Sequence, residues 1–391
     1  GFAANATGTS AIAIGSSASA TGTSASAVGP GANAAAQGAA AFGATSNANG
    51  VSSVAVGVAS NATGLLATSI GAITNATGNY SLAQGAFANA TAHESIAIGN
   101  ASVASGRQAL AIGAHANATG LNATAIGRIA QAGNDDIALG TAASAQGGAS
   151  IAMGHYANAT AIYSSAIGYN ASALGRHALA IGPLSNASGY TSMALGLLSN
   201  ATANYSIAQG AWANATDNNA TAIGLSAQAN GHDSIAMGSS AVAKSCHTVA
   251  IGTNTLANGT YGIAIGYGSK SDGRGAHAVA LGLNATASHF GAYAIGDGAN
   301  ASGAYSYAIG PAANAAGNYS MAFGTRANAT ADYAIAQGVL SNASGNYSIA
   351  QGAWSNATGL ESISIGNASN VTGNQSIAIG VGNQVHGHNS G

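Results

Sequence analysis

Residues 95–113 read Ser-Ile-Ala-Ile-Gly-Asn-Ala-Ser-Val-Ala-Ser-Gly-Arg-Gln-Ala-Leu-Ala-Ile-Gly, in which the motif apolar–Ala–apolar–Gly occurs twice, 14 residues apart. The motif also closes on Gly15, Gly29, Gly43 and Gly57 near the start of the chain and on Gly380 near its end. It recurs on 27 glycines, and 24 of the 26 intervals are 14 residues, with one of 13 (Gly127 to Gly140) and one of 16 (Gly266 to Gly282). One continuous repeat array therefore fills residues 1–391, and no linker or second domain is expected.

Counting from the motif glycine as position 0, position −1 is apolar in 23 repeats and Gln in the other four. Position −2 is Ala in 25 repeats and Ser in two (Ser69 and Ser364), and position −4 is nearly always Ala, Ser or Thr. Large and small residues alternate with period two over four residues, the pattern of a short strand. Position +5 is Ala in 24 repeats, position +3 is small, +4 is often Asn and +7 is usually Gly. This predicts a second short strand between two glycine turns. Two strands and two turns in each repeat make one coil of an all-β, parallel β-solenoid of about 27 coils. A helix is excluded because a glycine every seven residues would cost about 1 kcal/mol each against Ala. Collagen needs Gly at every third residue. Calcium-binding nonapeptide repeats need Asp-bearing loops, which nine acidic residues cannot supply.

The alternation also suggests which side chains share a compartment. If the large residues at −3 and −1 pack inward against small ones at +3 and +5, Ile98, Ile112 and Ile126 line the lumen and Ala104 and Ala118 oppose them. The Ala and Ser of −4 and −2 then point outward. A face that is always small implies close approach of another backbone, so Ala97, Ala152 and Ala236 are candidates for the contact face of a homotrimer.

Only 4% of the residues are charged and the net charge is −2, so no basic patch exists for nucleic acid. Cys246 is the single cysteine and permits no disulfide framework. No run of 18 apolar residues is present to span a membrane as a helix. The chain starts at Gly1 in the register of the repeat, which suggests a fragment of something longer.

Asn-x-Ser/Thr acceptor sequences number 26. Fourteen lie at +4: Asn5, Asn61, Asn75, Asn89, Asn117, Asn158, Asn186, Asn200, Asn214, Asn300, Asn328, Asn342, Asn356 and Asn370. Two readings stand: N-glycans, or an inherited Asn whose amides stack as a ladder. The four Gln at −1 (Gln84, Gln209, Gln337 and Gln351) each accompany a bulky residue at +2, namely Phe87, Trp212, Leu340 and Trp354. A buried Gln amide bonded to the turn under an aromatic lid accounts for the pairing. A surface ligand site on Phe87, Trp212 and Trp354 is the sharper alternative. The ten His are scattered singly, so no metal site or other cofactor is expected. Asp135 and Asp136 coincide with the 13-residue repeat, and Lys270, Asp272 and Arg274 with the 16-residue one, as turn indels. No carboxylate pair repeats on one face, so solenoid glycosidase chemistry is unsupported and no catalytic residue is assigned.

Ser-Ile-Ala-Ile-Gly at 95–99 and 376–380, with Ser150–Gly154 and Ser234–Gly238, carries a resemblance that covers essentially the whole chain. The repeat resembles the head repeats of trimeric autotransporter adhesins, the YadA-like family of Gram-negative bacteria. The resemblance implies a left-handed parallel β-roll, three chains per head, and display at the tip of an extracellular fibre anchored in the outer membrane through segments beyond this chain. It also implies a non-enzymatic role, attachment to host matrix, cells or other surfaces. A glycosylated structural filament or coat component is the alternative.

Overall fold

The short strands form where the alternation predicts them. In the repeat ending at Gly113, a two-residue strand (Val103–Ala104) and a three-residue strand (Leu110–Ile112) are joined and flanked by turns. The computed structural model describes residues 1–272 and 276–390, and among these the regular elements are all strands. The chain divides into two compact units, Gly1–Ala194 and Leu195–Gly391, built from the same coil. In the first, Ile96, Ala97 and Ile98 pair in parallel with Leu110, Ala111 and Ile112, one repeat on. In the second, Tyr293, Ala294 and Ile295 pair likewise with Tyr307, Ala308 and Ile309. Three-residue strands stack into one sheet and two-residue strands into another, giving a parallel β-solenoid of about 27 coils.

Both turns of a coil have type II form, with a positive φ at the third residue. Ser102 N–H donates to Gly99 O (3.3 Å) and Ala109 N–H to Gly106 O (3.1 Å). The left-handed residues are Ala101 (φ 53°) and Gln108 (φ 58°). Their own N–H groups donate one coil back, to Ala86 O (2.8 Å) and His93 O (2.9 Å), so the turns are laddered as the strands are. The motif glycine has a double cause. Gly99 has φ +131°, and a Cβ there would lie 2.5 Å from the carbonyl oxygen of Gly113 in the next coil.

The face assignment expected from the sequence is reversed on the three-residue strand. Ala97, Ala152 and Ala236 are fully buried inside their own coils and face no outside neighbour. Ser95, Ser102 and Ala104 share that lumen, while Ile98 and Ile112 are only partly covered and Ile126 is 36% exposed. Ala104 and Ala118 do lie inside, but opposite Ala and Ser instead of Ile. The lumen is narrow enough that its largest fully buried side chains are Val371, Thr74, Thr248, Thr255 and Asp136, so all four small positions occupy one compartment and the large ones turn out. The Ala/Ser exchange inside has a polar rationale as well. Many lumen serines bond their own turn, as Ser95 Oγ does to Ala92 O (2.7 Å) and Ser102 Oγ to Gly99 O (3.0 Å).

The two irregular repeats keep the ladder. Across the 13-residue one, Thr124 still pairs with Ile137. The deletion shortens the turn before Asp136, whose carboxylate is fully buried at a position where Ala or Ser is usual. Asp136 Oδ1 accepts from Ser150 N–H (2.6 Å), Ser150 Oγ–H (2.7 Å) and Gly148 N–H (3.1 Å) in the next coil. The 133–136 turn itself persists, with Asp136 N–H donating to Gly133 O at 3.4 Å. Across the 16-residue repeat, Ile263 pairs with Val279. Asp272 accepts from Asn258 Nδ2 (2.7 Å), whereas Arg274 lies outside the described residues.

Candidate functional site

With Ala and Ser inside, function falls to what the coil turns outward, and three surfaces repeat. The first is the outer face of the three-residue strands. Position −1 presents Ile70, Ile126, Met153 and Ile181 in the first unit and Met237, Ile251, Ile265 and Ile295 in the second, each more than a third exposed. Strand pairing sets these side chains at steps of about 4.8 Å, so each unit carries an uncovered apolar strip. Gln84, Gln209, Gln337 and Gln351 interrupt the strip and are exposed. That corrects the buried amide expected under an aromatic lid, because −1 faces out and needs no turn partner.

The second surface is the outer face of the two-residue strands, where the +4 asparagines stand. Nδ2 of each donates to Oδ1 of the next through Asn33, Asn47, Asn61, Asn75 and Asn89, at 2.9, 2.9, 2.8 and 3.0 Å. A longer chain runs through Asn300, Asn314, Asn328, Asn342, Asn356 and Asn370, at 2.8, 2.8, 2.7, 2.7 and 2.7 Å. Asn200 donates to Asn214 at 2.9 Å. Asn33, Asn47 and Asn314 lack the Ser or Thr of an acceptor sequence and still take part. The ladder therefore explains these asparagines without sugar. Asn117 sits between Val103 and Gln131, and Asn158 between Ser144 and Ser172, so neither has an Asn neighbour.

The third surface is the turns. Phe87, Trp212 and Trp354 occupy left-handed turn positions and are 54%, 52% and 58% exposed. Phe87 belongs to the first unit; Trp212 and Trp354, both in the second, lie ten repeats apart. The turn on the opposite edge, just before the three-residue strand, carries an aromatic column that the sequence reading missed. In the second unit nine rings follow one another in successive coils: His232, His247, Tyr261, His277, Phe290, Tyr305, Tyr319, Tyr333 and Tyr347. Tyr305, Tyr319, Tyr333 and Tyr347 stack nearly parallel, with centroids 5.1, 5.1 and 4.8 Å apart. The first unit has a shorter series, Tyr163 stacked on His177 (5.1 Å) and Tyr190 edge-on to it (5.8 Å). A tyrosine at φ near +60° costs about 1–2 kcal/mol, and each ring pair returns about 0.5–1.5 kcal/mol. Stacking so offsets the strain of placing large residues there. The signal was available: written in rows of 14, these rings share one or two columns.

The YadA head domain repeat model matches this chain in nineteen stretches, some of them overlapping, from residues 1–18 to 357–383, leaving 270–289 as the longest unmatched stretch. The chain belongs to the YadA head repeat family. The unmatched stretch of this YadA head array contains most of the 16-residue repeat. Among solved structures, the chain is similar to the collagen-binding domain of the Yersinia adhesin YadA at 28% identity, over 42% of this chain and 66% of that one, with a TM-score of 0.19. The match thus spans slightly less than two thirds of the Yersinia chain. No curated protein matched. No helix among the described residues of this YadA head array is long and apolar enough to cross a membrane, which says nothing of a β-barrel.

Proposed function

We propose that the chain is the adhesive, non-enzymatic head of a trimeric fibre, displayed outside the cell and held in the outer membrane through segments beyond residues 1–391. Membership of the YadA head repeat family supports this reading. The observation that carries it is the apolar strip at −1, repeated coil after coil in each unit and covered by nothing in the single chain. Apolar surface of that extent calls for a partner. Identical chains in parallel register offer the same strip at the same height, and closed three-fold packing would cover all three. The trimer face moves accordingly from Ala97, Ala152 and Ala236 to the isoleucines beside them. The four exposed Gln would then meet their counterparts in the interface, where amide bonding between copies would fix axial register.

The amide face and the turns remain outside such a trimer, and ligand contact is assigned to them. The ligand class is a matrix protein or glycan on a host or environmental surface, held by many weak contacts with avidity from three chains. Surface plasmon resonance on immobilised collagen, the ligand of the Yersinia domain, and on a glycan array tests the reading. Saturable binding is expected, weakened by Tyr319→Ala with Tyr333→Ala while the trimer persists. A trimer that binds neither collagen nor any glycan would contradict it.

A further inference from the structure

Histidines that look scattered in sequence meet where the coil register aligns them. His232 and Asp233 stand one repeat before Cys246 and His247. Main-chain bonding confirms the step, since His247 N–H donates to His232 O at 2.8 Å. Asp233 and His247 both sit in left-handed turn positions, φ 54° and 57°, at the head of the ring column. His232 Nδ1 lies 2.8 Å from Asp233 Oδ2, and His247 Nδ1 lies 3.4 Å from the same oxygen. One ring nitrogen from each histidine and one carboxylate oxygen all fall within 4.8 Å of one another.

We infer that His232 Nδ1, Asp233 Oδ2 and His247 Nδ1 form a binding site for a divalent transition ion of the zinc class. Tetrahedral zinc with bonds of about 2.0–2.1 Å sets its donor atoms about 3.3 Å apart; Asp233 Oδ2 lies 3.4 Å from His247 Nδ1 and 2.8 Å from His232 Nδ1, within reach of that geometry by small side-chain rotations. The donor set is two imidazoles and one carboxylate, which suits zinc and its neighbours and not calcium or magnesium, which prefer all-oxygen shells. The donors are also held from behind, as ligands of a built site are. Asn219 Nδ2 donates to Asp233 Oδ1 at 2.8 Å, leaving Oδ2 for the ion. His247 stacks on Tyr261, with centroids 4.9 Å apart and planes 8° from parallel. All three side chains are 38–44% exposed, so the fourth position opens to water or to a group from another molecule. An ion there would clip two adjacent coils together at the turn.

Titration of the whole chain with Zn²⁺ in metal-free buffer, followed by competition with a chromogenic chelator, tests the site. The unmodified chain is expected to bind one more Zn²⁺ per chain than His232→Gln/His247→Gln. Asp233→Asn should weaken that site by more than about tenfold, and Zn²⁺ should raise the melting temperature of the unmodified chain only. Circular dichroism checks that the variants fold, and His232→Gln alone serves if the double variant does not. Equal stoichiometry and affinity in the unmodified and variant chains would overturn the site. So would an equal response to Ca²⁺, or no binding at all, which leaves only a His–Asp side-chain contact.

Discussion

Four small residues per coil decide this fold. A lumen filled by Ala and Ser, with Val371 and a few Thr as its largest apolar or hydroxyl side chains, leaves little room for growth, so Ala118→Leu should cost about 1–3 kcal/mol, read as a lowered melting temperature. An unchanged melt would contradict the lumen described here. Asp136 offers a second test. Ser150 and Gly148 N–H both donate to its carboxylate, and Asp136→Ala leaves the buried Ser150 N–H without that acceptor. About 1–3 kcal/mol per unpaired group is expected, with lost hydrogen-exchange protection confined to residues near 136–150. Protection unaltered there would remove the structural role. The serine and alanine columns were readable in the sequence as small, but not as inward. Alternation states only that neighbours face opposite ways, and which side is the lumen depends on the separation of two sheets, a quantity no single strand encodes. Near-uniform smallness at −4, −2, +3 and +5 together was the better clue, because residues that share one narrow compartment are restricted together.

At the scale of the strands and turns, period, pairing and indels were legible because each is a matter of spacing. The ladders were legible in part. Asn at +4 admitted both glycan and amide readings, and the bonds through Asn33, Asn47 and Asn314 favour amides in the runs. Coils stand about 4.8 Å apart, less than the width of a sugar ring, so a glycan on Asn328 would crowd Asn314 and Asn342. Peptide mapping by mass spectrometry of protein from its native source should find Asn61, Asn75, Asn328, Asn342 and Asn356 bare or sparsely occupied. Any sugar should concentrate on positions such as Asn117 and Asn158. Full occupancy along the 300–370 run would contradict the ladder. Asn328→Ala removes two amide bonds and should cost about 1–2 kcal/mol, seen in the thermal melt of unglycosylated protein. The aromatic column escaped the reading because rings at one turn edge were considered only as neighbours in sequence. A Tyr every 14 residues is unremarkable until the register stacks it on the next.

At the scale of the whole molecule, the reversed strand face changes what the chain presents to others. Had Ile filled the lumen, the outward surface would be small and nearly inert; with Ala inside, each unit shows an apolar strip that one chain cannot cover. Ile98→Glu with Ile126→Glu separates the two arrangements. If these side chains lie outside, the variant keeps its β-sheet circular dichroism and loses assembly, since charges would be buried at the interface; if they lay inside, the variant would unfold. The most direct test is sedimentation equilibrium of the unmodified chain. The account predicts a single species of three times 36.9 kDa, whereas a monodisperse, soluble species of 36.9 kDa would contradict it.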